Sequence, residues 1–138
     1  MWNKTVTLYN KFEDQNGQIS WYRHCLKNCF VKRTVKKANV GGTQTAKFDY
    51  IIRIPKQSNY LPAFDWVKIA ESLKGEYITL QGGDLIVLGD ISEEINEYAN
   101  GERSSDFIAK YQALGSVFVN SININTDLPG PHYLIRGE

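Results

Sequence analysis

Tyr77-Ile-Thr-Leu-Gln-Gly-Gly-Asp-Leu-Ile-Val-Leu-Gly-Asp90 is the stretch of sequence that decides the fold. Two short apolar runs, Tyr77 to Leu80 and Leu85 to Leu88, flank a Gln-Gly-Gly-Asp segment, and its glycines can supply the positive φ angles that a tight hairpin turn requires. The pattern therefore predicts two neighbouring β-strands. We interpret the stretch as architecture and not as part of a catalytic site.

Period-2 alternation of apolar residues predicts further strands on both sides of this hairpin, most clearly from Phe48 to Ile54. Other strands are expected at residues 5–9, 19–35 (continuous, or broken at Lys27-Asn28), 117–124 (with a bulge near Asn120) and 133–136, with a loop at 39–43 and a turn at 127–131. Six or seven short strands predict an all-β fold, a mainly antiparallel sheet that closes into a small barrel, because closure removes exposed strand edges. We expect one barrel domain over residues 1–138.

The segment near residues 61–74 is predicted to be a helical insertion. Pro62 suits the first position of a helix, and Trp66, Ile69 and Leu73 recur at helical spacing. One short helix is expected here.

A second helical insertion is predicted near residues 91–114. Ser92 precedes acidic residues that suit the first turn of a helix, where carboxylates interact favourably with free amide groups. A further helix is expected after Ser104 or Ser105, and an irregular loop is the alternative. The whole chain should therefore contain two or three short helices.

Three segments, taken in order, resemble a known family. Thr5 to Asp14 followed by Trp21 to Leu26, the central Tyr77 to Asp90 stretch, and Gly130 to Gly137 are similar to the opening, central and closing segments of small neck proteins from tailed phages and prophages of low-GC Gram-positive bacteria. Together these segments span nearly the whole chain.

The resemblance implies a non-enzymatic virion protein of the head-closure or head-tail connector type. Such a β-barrel protein would be made in the cytoplasm of the host bacterium and would form a homo-oligomeric ring in the virion neck. Its partners would be portal and adaptor proteins on the head side and tail proteins on the other side. It would retain the packaged double-stranded DNA and dock the tail. A tail-terminator or tail-completion subunit is the alternative within the same class.

Composition is compatible with one soluble domain. The chain has 138 residues, of which 42% are hydrophobic and 12% aromatic, and this is enough apolar surface to offset the entropy cost of ordering. The longest apolar run is far shorter than the roughly 20 residues that cross a bilayer, and the first residues lack a signal-peptide pattern. We expect no membrane partner. The two cysteines, Cys25 and Cys29, would lie about 13 Å apart on a straight strand, so reduced thiols are expected.

Charge is strongly segregated although the formal net charge is only +1. No acidic residue occurs between Gln15 and Phe48, whereas seven occur from Asp84 to Asp106. Segments of opposite charge suit head-to-tail packing of identical copies or stacking between rings. In the alternative interpretation, the basic segment is a strand exposed to solvent and the acidic segment a helix exposed to solvent. The candidate contacts with a partner or with DNA are Arg23, Lys32, Arg33, Lys36, Lys37, Glu93, Glu94 and Glu97.

No recognisable catalytic, cofactor or metal site is predicted. Nucleophilic catalysis needs a base beside the nucleophile, and the only histidines are His24 and His132. His24 adjoins Cys25, but neighbours on a strand point to opposite faces. The four histidine and cysteine side chains lack the spacing of a zinc site.

A nucleic-acid-binding barrel is the alternative outside the phage class. Cations between Arg23 and Lys37 are interleaved with Trp21, Tyr22 and Phe30, and such surfaces attract phosphates and stack bases. Alternation places Trp21 in the core, however, which leaves few exposed rings for stacking.

Overall fold

The computed structural model describes the backbone of residues 2–40, 43–125 and 131–138 and the side chains of residues 2–35, 48–125 and 131–138. Within these residues the strands are β1 (Lys4–Glu13), β2 (Ile19–Val40), β3 (Thr43–Pro55), β4 (Leu85–Leu88), β5 (Ser116–Asn125) and β6 (His132–Gly137). The helices are α1 (Ala63–Trp66), α2 (Glu71–Lys74) and α3 (Ser104–Lys110). Gly41-Gly42 of the predicted loop and residues 126–130, which hold most of the predicted turn, lie outside the described residues.

The strands form a closed antiparallel barrel in the order β1-β2-β3-β6-β5-β4, so the predicted fold class is confirmed. In β3 the alternating residues Tyr50, Ile52 and Ile54 are buried, as their pattern predicted. They pack in the barrel interior with residues from all five of the other strands. These include Val6, Leu8, Leu26, Cys29, Ile86, Val117, Val119, Tyr133 and Ile135. The register of β5 on β6 shifts between Val119 and Ser121, where a bulge was expected. Each buried side chain contributes roughly 1.5–3 kcal/mol, so this cluster is the main source of stability.

β2 serves two parts of the barrel. Its residues up to Cys29 pair with β1, and its residues from Phe30 onward pair with β3. Asn28 lies just before this change of partner and has a φ of 59°, in the left-handed region that asparagine tolerates better than most residues. The strand is therefore continuous, and the register of β1 on β2 shifts where a break was considered. The two cysteines are free thiols, of which Cys25 is exposed and Cys29 is buried.

The predicted hairpin is wrong in its first strand. β4 pairs with β1 and β5, but residues 77–80 are not a strand of the barrel, and Ile78 makes only a single parallel bridge with the loop at residues 59–61. The backbone amide and carbonyl of Thr79, which would bond to β4 in a hairpin, bond to the side chain of Asn10 instead. The side chain of Asn10 donates to the Thr79 carbonyl at 2.6 Å and accepts from the Thr79 amide at 3.3 Å. This segment is thus bonded across the end of the barrel instead of along β4.

A buried carboxylate fixes the turn that precedes β4. Asp84 accepts hydrogen bonds from the Asn10 side chain at 2.8 Å and from the Lys11 backbone amide at 2.9 Å. It also accepts from the backbone and side-chain nitrogens of Gln81, at 3.1 and 3.2 Å. Burial raises the pKa of Asp84 to about 7, and the four donors oppose this rise. The turn is therefore held against the end of β1.

The first insertion forms two short helices, α1 and α2, instead of the single helix predicted. Lys74 explains the interruption, because its ammonium group donates to the carbonyls of Val67 at 3.2 Å and Ile69 at 2.5 Å between the helices. The same ammonium lies 4.5 Å from the ring centre of Phe12 and 5.2 Å from that of Trp66. The insertion thereby covers the end of the barrel where β1 ends.

The second insertion packs on the outer face of β1, β2 and β4. The helix expected from Ser92 is not formed, and the prediction of a helix near Ser104 is confirmed by α3. A second hydrophobic cluster joins the insertion to the barrel and contains Tyr9, Trp21, Leu85, Val87, Ile95 and Phe107. The Tyr9 hydroxyl donates to the backbone carbonyl of Glu93 at 2.7 Å, so this backbone bonds to the barrel instead of to a helix of its own.

Candidate interaction surface

A two-stranded ribbon extends from the barrel and is the most distinctive surface of the protein. β6 pairs with β3 only as far as Tyr50, and β1 pairs with β2 only as far as Cys29. Among the described residues, 34–40 of β2 and 43–49 of β3 pair with each other and with no other strand. We call these two segments the arm. At roughly 3.3 Å per residue its length is about 20 Å.

The sequence of the arm contains more basic than acidic residues. Register places Lys36 opposite Lys47 and Lys37 opposite Ala46, and the only acidic residue in the two segments is Asp49 at the end nearest the barrel. Like charges that face each other across a ladder are destabilising, and a two-stranded ribbon is marginally stable in water. A partner that covers the edges and neutralises the lysines would therefore stabilise the arm.

Apolar groups are exposed where the arm leaves the barrel. Val35 and Phe48 face each other across the ladder and are 49% and 41% exposed. The guanidinium group of Arg33 lies 4.7 Å from the Phe48 ring centre, which is a cation–π contact. A groove beside this pair is also lined by Ile108 and by Phe118, which is partly exposed. Exposed apolar groups next to cations are typical of protein-binding surfaces.

Four of the predicted contact residues form bonds within the chain. Arg23 pairs with Glu94 at 3.3 Å and donates to the Ile91 carbonyl at 3.1 Å. Glu93 pairs with Lys110 at 2.7 Å and accepts a hydrogen bond from the Tyr111 hydroxyl, and the hydrogen bond from Lys110 is the main cause of its lowered pKa.

Glu97 belongs to the same set of contacts. It accepts from the Trp21 indole at 3.2 Å and from the Ser104 amide at 2.7 Å. The basic and acidic segments that the sequence separates thus partly meet inside one chain, where they fasten the second insertion. The role of Arg23, Glu93, Glu94 and Glu97 as partner contacts stays a prediction.

The other four predicted contact residues lie on or beside the arm. Lys32 and Arg33 are exposed on β2 next to it, and Lys36 and Lys37 are in its first strand. Sequence reasoning missed Val35 and Phe48 as surface residues. Phe48 continues the alternation of the buried residues of β3 and therefore has the pattern of a core residue. It lies outside the barrel because the pairing of β3 with β6 stops at Tyr50.

A second charged surface lies at the opposite end of β2. Phe12, Glu13 and Asp14 at the end of β1, together with Gln15, Asn16, Val67 and Glu71, line a groove that we call the acidic groove. Its lining includes three carboxylates and no cation. Asp14 is committed to its turn, since it accepts from the amides of Asn16 at 2.8 Å and Gln18 at 2.9 Å. Glu13 and Glu71 are exposed.

The histidine and cysteine side chains show no arrangement suited to catalysis. Nε2 of His24 is buried without a hydrogen-bond partner, and burial lowers its pKa to about 4. Burial raises the pKa of the Cys29 thiol to about 12, which disfavours the reactive thiolate. The described residues include no group of three or more histidine, cysteine, aspartate or glutamate side chains that could hold a metal ion.

The described residues define a closed β-barrel with a projecting two-stranded arm. The chain belongs to a family of unknown function, DUF6751, whose model matches residues 1–138. No curated protein and no solved structure matches it. None of the described helices is long and apolar enough to span a membrane.

Proposed function

We propose that this protein is a non-enzymatic structural subunit of a tailed-phage neck, of the head-closure or head-tail connector type. It forms a ring, retains the packaged DNA and docks the tail. The observation that carries the proposal is the arm, a basic ribbon whose outer edges pair with no other strand among the described residues, with an exposed Val35–Phe48 pair where it leaves the barrel. The segments that resemble neck proteins support the same function.

The proposed mechanism is mechanical and electrostatic. The barrel holds the base of the arm rigidly, because β2 and β3 continue without interruption from the barrel into the arm. An arm that gains partners only in the assembly loses conformational entropy at that step. The subunit would therefore be soluble alone, and its ring would be most stable on the portal and adaptor platform.

Binding to purified portal-adaptor complex and to tail tubes tests this function. The informative variant lacks the arm, with Arg33 joined to Tyr50 through Asn-Gly, since these residues face each other and a two-residue turn can connect them. We expect the wild type to bind the portal-adaptor complex as a ring visible by electron microscopy, and the armless variant to keep its far-ultraviolet circular dichroism but not bind. Binding to the tail tube alone would indicate a tail terminator. Binding to neither would contradict the proposal.

Nucleic-acid binding is the second candidate function. It is favoured by the arm lysines and by Phe48, whose exposed ring lies beside Arg33 as in surfaces that stack bases. Titration of labelled single strands at several salt concentrations tests it. Binding by the monomer that weakens steeply with salt and disappears in the armless variant would favour this function over the neck.

A further inference from the structure

We infer that the arm of one copy docks on the acidic groove of a second copy, so that the protein associates with itself head to tail. This inference rests on the proposed function and names the surfaces that would join neighbouring subunits. In this inference the arm binds the acidic groove. The acidic segment at residues 84–106, which the sequence indicated as the counterpart of the basic segment, does not have that role.

Four of the seven acidic residues at 84–106 are already engaged within the chain. Glu93 and Glu94 form ion pairs, and Glu97 accepts two hydrogen bonds. Asp84 is buried and satisfied by four donors. The carboxylates of Glu13 and Glu71, by contrast, line an open groove without a cation in its lining, and they are the better match for a basic arm.

The arm and the acidic groove also both expose apolar side chains. Val35 and Phe48 are exposed at the arm, and Val67 in the acidic groove is 44% exposed. Phe64, in the same insertion, is 71% exposed. A nucleic-acid backbone would satisfy the lysines but would leave these apolar groups in water. A protein surface that is acidic and partly apolar covers both, which is why a second copy is the favoured occupant.

The two surfaces lie at opposite ends of β2. The acidic groove adjoins the turn before Ile19, and the arm follows Arg33. A contact between different surfaces of identical copies is heterologous, and it closes into a ring when the rotation between neighbours permits. A ring is what the proposed function requires.

Charge reversal tests the inference. The arm variant carries Lys36→Glu and Lys37→Glu, and the groove variant carries Glu13→Lys and Gln15→Lys. Glu71 is left unchanged because its charge helps to keep Lys74 protonated: burial lowers the pKa of Lys74, and Glu71 opposes this shift. The control variant carries Lys27→Glu and Lys56→Glu, two exposed cations outside the arm. Sedimentation velocity over a range of concentrations at low salt measures association, and circular dichroism checks folding.

We expect each variant to need about tenfold or more protein for half-association, because in the arm variant acidic side chains face the acidic groove, and in the groove variant the lining keeps no net negative charge to attract the arm. The control should associate like the wild type. A mixture of arm and groove variants should recover in part, because the unchanged basic arm of the groove variant then meets the unchanged acidic groove of the arm variant. Association of both variants at the wild-type concentration would overturn the inference alone, as would a mixture that fails to recover. A wild type that stays monomeric even with the portal-adaptor complex would overturn the proposed function as well. If the arm variant loses only single-strand binding, the arm binds nucleic acid and the inference fails.

Discussion

Replacing Trp66 by alanine should destabilise the protein more than any change to an exposed residue of the same helix. Trp66 is fully buried, and its ring makes edge contacts with Phe12 and Tyr22 at centroid distances of 6.0 and 5.7 Å. Its indole nitrogen donates to the Tyr77 carbonyl at 3.2 Å, and the Lys74 ammonium lies over its ring. The side chain therefore joins β1, β2 and both parts of the first insertion.

The magnitude follows from these contacts. Truncation of a buried tryptophan to alanine costs about 3–5 kcal/mol, and the lost aromatic pairs place Trp66→Ala in the upper part of that range. For a chain of this size about 4 kcal/mol is a large fraction of the total stability, and it should lower Tm by about 10–15 °C. Trp66→Phe keeps most of the burial but loses the hydrogen bond, so about 1–2 kcal/mol is expected.

Urea unfolding followed by circular dichroism gives the free energy of unfolding of each variant. Phe64→Ala is the matched control, because Phe64 is in the same helix and is 71% exposed. It should change stability by less than about 0.5 kcal/mol. If Trp66→Ala cost no more than Phe64→Ala, the first insertion would not be anchored on the barrel by this side chain. The position of Val67 and Glu71 in the acidic groove would then need another explanation.

Three further outcomes are expected. Gly137→Ala should cost about 2–3 kcal/mol in urea unfolding, because a Cβ there would lie 2.4 Å from the Phe118 carbonyl oxygen, whereas Gly82→Ala, with its nearest contact at 3.9 Å, should be tolerated. Lys74→Met should cost about 2 kcal/mol in the same assay, since two carbonyl groups lose their donor. His24 has a folded pKa of about 4 against an ordinary 6.5, so its contribution to stability is complete above pH 6.5 and is lost as the pH falls toward 4. The stability difference between the wild type and His24→Leu should therefore change by about 3 kcal/mol over that interval, and a constant difference would contradict the assigned environment.

The sequence was sufficient for the barrel because its evidence is local. Alternation in β3 indicates a strand with one buried face, and the apolar run of β4 indicates a strand buried on both faces. Both patterns can be recognised without knowing which strands are the partners. The bulge in β5 was visible for the same reason, as a change of parity near Asn120. The strand predicted at 77–80 failed because its outcome depended on Asn10, a residue far away in sequence that bonds to Thr79.

The interaction surface was harder to predict, because the charges of a segment do not reveal where they are neutralised. Glu93 and Glu94 have the composition of a helix start, but in the folded chain Glu94 pairs with Arg23 of β2, and Glu93 pairs with Lys110 inside the second insertion. The sequence predicts a hairpin-like turn at Glu13 to Gly17 and assigns Glu13 and Asp14 no other role, since acidic residues are common in turns. They become a surface only when Glu71 of the first insertion is placed beside them.

β2 belongs both to the closed barrel and to the arm because its two partners are offset along the strand. Its pairing with β1 ends at Cys29 and its pairing with β3 begins at Phe30, so among the described residues its later half does not pair with β1 and continues past the barrel. Asn28 lies just before this change of partner, with a φ of 59°. A β-branched residue is strained in that conformation, so Asn28→Val should disturb the arm and the barrel together, whereas Asn28→Gly should preserve both.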